Sequence, residues 1–126
     1  MVAALTDLDE ILKSLRVVNR GTYIYLPVGE VENLAEVLAV INEDEGSYAV
    51  APATADNHIE SFACLTLDVH SALTSVGLTA LVSTVLADAG IACNVIAGYY
   101  HDHLLVPEGK AEQAQALLAA LPTKDR

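Results

Sequence analysis

Tryptophan is absent from this chain of 126 residues and phenylalanine occurs once. Lysine and arginine together number 6, against 17 aspartates and glutamates. The shortage of large aromatics means that a core must be packed from Ala, Leu and Val, and with 53% apolar residues there is enough of them to bury one. The shortage of basic residues, with a net charge of −11, excludes two classes of partner. Nucleic acid needs clustered Lys and Arg against its phosphates, and an anionic membrane surface needs the same. The charge is read as solubility and self-avoidance. Cysteine is scarce too: Cys64 and Cys93 form no CxxC and no Cys/His ligand spacing. Both sit among apolar neighbours, as buried free thiols do. A disulfide between them requires neighbouring strands in compatible register. No uninterrupted apolar run approaches the ~18 residues of a membrane span. The N-terminus lacks the basic start and apolar segment of a signal peptide, so a cytoplasmic location is expected. Nucleophile elbows, phosphate loops and metalloprotease helices are missing, and Gly90 and Gly98 belong to no GxGxxG pattern.

What is present is a strong alternation of elements. Leu5, Leu8, Ile11, Leu12 and Leu15 recur at helical spacing and predict a helix from Thr6 to Leu15. Val17 to Gly21 reads as a loop through its turn residues Asn19 and Gly21. Thr22 to Val28 is β-branched and aromatic, a strand that Pro27 confines to an edge or to the strand's end. Val31, Leu34, Val37, Leu38 and Ile41 predict a second helix over Val31 to Asn42, with a polar exit at Glu43 to Gly46 and a strand at Ser47 to Ala51. Pro52 to Glu60 is a polar connector. The stretch that follows organises the chain. Ser61 to Val69 is a strand whose Ala63, Leu65, Leu67 and Val69 should meet the helices. His70 to Gly77 is a corner, and Leu78 to Ala89 is a helix stopped by Gly90. Ile91 to Gly98 is an apolar run of the kind expected for an interior strand, interrupted by Asn94. His101 to Val106 is a strand, and Pro107 with Glu108 opens the last helix, which Pro122 ends.

The second half therefore reads β-α-β-β-α. That is most of a ferredoxin-like sandwich whose final strand must come from Thr22 to Val28 or from a partner chain. Helices should cover one face of the sheet and leave the other open. A weaker strand-helix-strand echo over Thr22 to Ala51 points to two halves of similar architecture.

The residues that could hold a ligand gather around the corner. Ser71, Thr74 and Ser75 precede a helix, and Gly77 permits close backbone approach. Helix N-termini offer unpaired N–H groups and a partial positive charge, which suits the carboxylate of an amino acid. Thr74 or Ser75 could equally serve as a simple helix cap. Asn94, if buried, needs partners, either across the sheet or on a ligand. His101 and His103, two apart on a strand, could join His70 around a divalent metal with help from Asp68 or Asp102. They could also be polar residues of an open face or a subunit contact, as could Tyr99 and Tyr100.

The stretch from His70 to His103 carries a resemblance. His70-Ser71-Ala72-Leu73, Val76-Gly77-Leu78-Thr79-Ala80 and the block Asn94-Val95-Ile96-Ala97-Gly98-Tyr99-Tyr100-His101-Asp102-His103 resemble a bacterial family of small stand-alone ACT-domain proteins. The resemblance implies an α+β, ferredoxin-like (βαββαβ) ACT-type sandwich of two ACT-like halves, a degenerate one at 1–58 and an ACT domain at 59–126. It implies a non-catalytic regulatory protein, paired side by side as a homodimer, that binds a small-molecule effector such as an amino acid and uses no cofactor. The ligand-binding residues it implies are Asp68, His70, Ser71, Thr74, Ser75, Val76, Gly77, Leu78 and Asn94. An Asp-x-Pro-Gly turn is usual at an ACT corner; Thr74-Ser75-Val76-Gly77 stands there in this chain and keeps only the glycine. A metal-dependent enzyme using His70, His101 and His103, and an oligomerisation module without ligand, are the alternatives.

Overall fold

The structure, a computed structural model, describes residues 4–54 and 60–121. Asp7 begins the first helix: its carboxylate accepts from the amides of Asp9 and Glu10 at 2.8 and 3.2 Å, which satisfies two orphan donors. Helix α1 (Leu8–Ser14) then buries Ile11 and Leu12. It starts two residues later than the expected Thr6 because Asp7 stands outside the helix as its cap.

Val17 to Gly21 is not a loop. Strand β1 (Val17–Pro27) runs through it, with Val17, Val18 and Asn19 opposite Leu67, Thr66 and Leu65. The turn residues mark a bulge, since the register shifts between Asn19 and Thr22. The Asn19 side chain accepts from the Gly21 amide at 2.8 Å, and Gly21 takes a φ of 100°.

The expected helix over Val31 to Asn42 is absent as well. Single 3-10 turns occupy Val28–Glu30 and Leu34–Glu36, followed by strand β2 (Ala39–Glu43) and strand β3 (Gly46–Pro52), joined as a hairpin. The helical spacing of apolar residues here was misleading. Leu34 is 57% exposed, so no buried stripe exists, and the β-branched Val40 and Ile41 find backbone partners on β3. The strand-helix-strand echo of the N-terminal half is lost with that helix.

Strand β4 (Phe62–Leu67), helix α2 (Leu78–Asp88), strand β5 (Asn94–Ala97), strand β6 (Asp102–Pro107) and helix α3 (Ala111–Ala119) complete the chain, with a 3-10 turn at Glu108–Lys110 before α3. Gly90, at φ 73°, closes α2 as expected. Helix α3 ends at Ala119; Pro122, expected to end it, lies outside the described residues, as do residues 55–59 of the connector.

All strands lie in one antiparallel sheet of order β2-β3-β1-β4-β6-β5. β1, from the N-terminal part of the chain, lies beside β4. Pro27 ends β1 at the last pair with β3, opposite Tyr48, so it costs the ladder nothing. β5 is an edge strand, not an interior one. Its apolar run arises because Cys93 and Val95 pack against the helix-side core while Ile96 packs against the cluster on the other face.

The helices cover one face. Ile11, Leu12 and Leu15 from the α1 region, Leu78, Val82 and Leu86 from α2, and Ala114 and Leu118 from α3 pack with Ala63, Leu65, Leu67 and Val69, as the alternation predicted. On the other face Val50, Cys64 and Leu105 are fully buried beneath Tyr23, Tyr25, Leu38, Phe62 and Ile96. Tyr25 meets Phe62 edge-on at 6.0 Å. Both cysteines are free, and β6 lies between their strands, which rules out a bridge. Burial pushes both thiols above their ordinary value.

Thr66 is the one fully buried polar residue on the described sheet. The Arg20 Nε–H donates to its Oγ1 at 3.3 Å, and that oxygen lies 2.9 Å from His103 Nδ1. The Thr66 hydroxyl, which can both accept and donate, thus links the Arg20 guanidinium to the His103 ring. Burial lowers the His103 pKa, helped by the neighbouring His101 and Arg20, while Asp102 opposes the shift. The folded value thus lies below the ordinary 6.5, and the unfolded chain takes up the proton first as pH falls. The stabilisation from neutral His103 is present above that value and is lost as pH drops through the folded one. Between about pH 7.5 and about pH 5.5 the wild type should lose more stability than His103→Gln, measured by urea titration at each pH. Equal slopes for the two proteins would contradict the neutral assignment.

Candidate ligand-binding site

The end of β4 and the corner are tied down by the N-terminal segment. Leu5 bridges to Ser71, its amide donating to the His70 carbonyl at 2.8 Å and its own carbonyl accepting from Ala72 at 2.7 Å. The Ser75 amide donates to the Ala72 carbonyl at 2.9 Å and turns the chain toward α2. Gly77 is the N-cap of α2 at φ 109°, a conformation that favours glycine, and an added Cβ would also meet Leu8 Cδ2 at 3.2 Å. No side chain caps this helix. Thr74 and Ser75 are therefore not its caps, and the first-turn amides keep their positive end available.

Those amides open onto a cavity of about 140 Å³. Ser71, Ala72, Leu73 and Ser75 of the corner line it, with Gly77, Leu78 and Thr79 at the helix start and Ala97, Gly98, His101 and Asp102 from the turn between β5 and β6. Gly98 donates its amide to the His101 carbonyl at 2.9 Å. A Cβ there would lie 2.6 Å from that carbonyl oxygen and 3.2 Å from His103 Nε2, so this wall of the cavity needs glycine. Asp102 stands opposite both strand neighbours, Leu67 and Ala97. Burial raises its pKa, and His103 and His101 only partly offset this. The cavity is thus lined both by Asp102, whose half-buried carboxyl is held above its ordinary pKa, and by the start of a helix that no side chain caps.

Of the residues expected at the site, Ser71, Ser75, Gly77 and Leu78 line the cavity. Asp68, His70, Thr74 and Val76 lie beside it without lining it. Asp68 is engaged by Arg16, at 3.4 Å, and stands 4.0 Å from His101 Nε2. His70 packs against the ring of Tyr100 with centroids 5.2 Å apart. Asn94 is exposed on the sheet edge, three residues and about 10 Å along β5 from Ala97, so the premise of a buried asparagine does not hold. Asp102, Thr79, Ala97 and Gly98 were not expected as ligand contacts. Only the strand register brings them to the corner.

The three histidines do not converge. His103 is bonded to Thr66, His70 is stacked on Tyr100, and His101 Nδ1 lies 3.5 Å from the Val69 carbonyl oxygen. Among the described residues no group of three His, Cys, Asp or Glu side chains is placed to hold a metal ion. A larger cavity of about 570 Å³ lies between residues 30–37 and the ends of β1 and β3, but Glu30, Glu32 and Glu36 line it and would repel a ligand carboxylate.

The site thus sits on an α+β fold: a six-stranded antiparallel sheet with helices on one face and a small cavity at a strand-to-helix corner. The ACT domain family profile matches residues 55–120. The chain belongs to the ACT-domain family, and that membership points to a regulatory, small-molecule-binding role. Among solved structures, a protein of unknown function from Vibrio cholerae, described as a possible transport protein, is 36% identical. The match covers 91% of this chain and 95% of that one, with a TM-score of 0.73. A protein from Agrobacterium tumefaciens is similar in fold, with 21% identity, a TM-score of 0.64, and coverage of 86% and 89%. No curated protein matches. Among the described residues no helix is long and apolar enough to cross a membrane.

Proposed function

We propose that this chain is a non-catalytic, cytoplasmic regulatory protein whose ACT domain binds an amino acid in the cavity at the start of α2. The observation that carries the reading is the pairing of an uncapped helix N-terminus with a desolvated carboxylate across one small cavity. The α-carboxylate meets the amides of Leu78 and Thr79, with the Ser71 and Ser75 hydroxyls beside it. The ammonium meets Asp102, taking the role first expected of Asp68 or His70. Asp68 and His70 shape the second ring of contacts, while Thr74 and Val76 form the outer lip. Asn94, on the edge strand, is assigned to pairing with a second copy, in a homodimer.

The fold is read as ferredoxin-like, βαββαβ, with β1 as the closing strand of the C-terminal ACT domain at 59–126. The division from 1–58 treats the N-terminal half as an ACT-like unit whose helix has shrunk to two 3-10 turns. The family match over residues 55–120 supports the boundary.

A thermal-shift screen against the amino acids tests the function. A ligand selective for the folded state at a hundredfold excess over its Kd adds about 2.7 kcal/mol of stability. One or a few amino acids should raise the melting temperature, and Gly77→Val, which strains the N-cap and crowds Leu8, should abolish the rise. A rise with divalent metal ions alone, lost in His101→Ala, would replace this reading with the metal-dependent one.

A further inference from the structure

We propose that the mouth of the cavity selects amino acids with large apolar side chains, through a rim made of Leu73, Val76, Tyr99 and Tyr100. The inference rests on the amino-acid reading of the cavity and goes beyond it by naming the side-chain class. The cavity's volume of about 140 Å³ is under half of the roughly 300 Å³ at the lower end of pockets that enclose a whole small molecule. It takes the charged head of an amino acid, and anything longer than a small side chain must lie on the mouth.

Apolar residues follow or interrupt the lining segments along the chain. Leu73 lines the cavity itself, Val76 sits between the lining residues Ser75 and Gly77, and Tyr99 and Tyr100 connect the lining residues Gly98 and His101. Their exposures are 67%, 83%, 69% and 53%. Leu73, Val76 and Tyr99 are the three most exposed large apolar side chains among the described residues. Scattered exposed apolar residues need no explanation, but a group of them around one cavity marks a surface that is covered in the working state.

The tyrosines are also held in place before any ligand arrives. Their rings stand edge to face at 5.0 Å and 86°, and Tyr100 leans on His70. A pre-ordered aromatic pair gives contact area at little entropic cost. With the ammonium at Asp102 and the carboxylate at the helix start, the side chain of an α-amino acid leaves the cavity across this rim. The four rim residues carry no charge, so a basic or acidic side chain gains nothing there, and a methyl group is too short to cover it.

Calorimetric titration of the full chain with glycine, alanine, leucine, phenylalanine and lysine tests the inference. Leucine and phenylalanine should bind at least about tenfold more tightly than alanine, the return expected for burying one apolar side chain. The double variant Tyr99→Ser, Tyr100→Ser, at two positions that do not line the cavity, should bring them to the level of alanine and leave the affinity for alanine, measured by competition, unchanged. Both positions are exposed, and an unchanged melting temperature of the free variant shows that it is folded. Equal binding of all five amino acids, or binding of leucine unaffected by the double variant, overturns the rim and leaves the head site standing. Absence of binding by every amino acid overturns the head site and the rim together. A double variant that turns a dimer into a monomer on sedimentation, with leucine affinity unchanged, makes the rim a subunit contact and overturns the proposal.

Discussion

Asp102→Asn will weaken amino-acid binding by roughly 10- to 100-fold, the worth of a charge-assisted hydrogen bond, and will leave the empty protein at least as stable as the wild type. The two effects have opposite signs because the carboxylate is half-buried and the neighbouring histidines only partly offset what burial costs its charge. Among the described residues, the side chains that act on its charge are His103 and His101, of which only His101 also lines the cavity, and burial lowers the pKa of His103. Burial raises the folded pKa of Asp102 above its unfolded value. At pH above the folded value the native state bears the cost of an ionised, desolvated carboxylate, and that cost disappears as pH falls below the unfolded value. Asparagine keeps the shape and removes the cost, but offers an ammonium no countercharge. A bound ammonium does the reverse and draws the Asp102 pKa back down, so binding should weaken as pH falls toward the range where Asp102 takes up a proton. Calorimetry of the variant with the best amino acid from the screen, together with its urea midpoint, checks both halves. Loss of stability without loss of binding would assign Asp102 a structural role.

Leu86→Ala should cost about 2–5 kcal/mol, roughly 8–20 °C in melting temperature for a chain of this size. Leu86 is fully buried on α2 against the helix-side core, and its carbonyl also accepts from the Ile91 amide at 2.9 Å where the chain returns to the sheet. Leu34→Ala is the informative contrast. In a helix over Val31 to Asn42 with a buried apolar stripe, it would cost a similar amount. In the observed 3-10 turn Leu34 is 57% exposed, and the change should stay within about 0.5 kcal/mol. Denaturant titrations of the two variants side by side discriminate the arrangements.

That contrast also explains how much of the molecule could be read in advance. Where local pattern and tertiary environment agree, the reading holds: the alternation of Ala63, Leu65, Leu67 and Val69, the apolar stripe of α2, and Gly90 at its end all have the predicted roles. The failures share one cause, the pairing of distant strands. Asn19 and Gly21 look like a loop because a bulge uses the same residues as a turn, and only pairing with Leu67 to Leu65 makes them strand. Leu34 and Ile41 fall at helical spacing by coincidence, and the hairpin with β3 decides otherwise. β5 is apolar on both sides because both faces at that edge are covered, which its own sequence does not distinguish from an interior position.

The candidate site shows the same division. Its corner half, Ser71 to Leu78, was legible because a polar stretch before a helix is a local signal. Its other half was not. Asp102 and Gly98 reach the corner through the β4–β6 and β5–β6 registers, separated from Ser71 by the whole of α2. The metal reading failed for the same reason: alternation places His101 and His103 on one side of a strand only if both are in it, and β6 begins at Asp102.

The most direct test of the account is a map of backbone amide shifts in solution as the best-binding amino acid is titrated into the protein. The account predicts the largest shifts at Gly77, Leu78 and Thr79 and at residues 98–102, the two walls of the cavity, with the exposed Asn94 amide and the β2–β3 hairpin unmoved. Shifts confined to residues 30–37 and the β3 end, around the larger carboxylate-lined cavity, would contradict it.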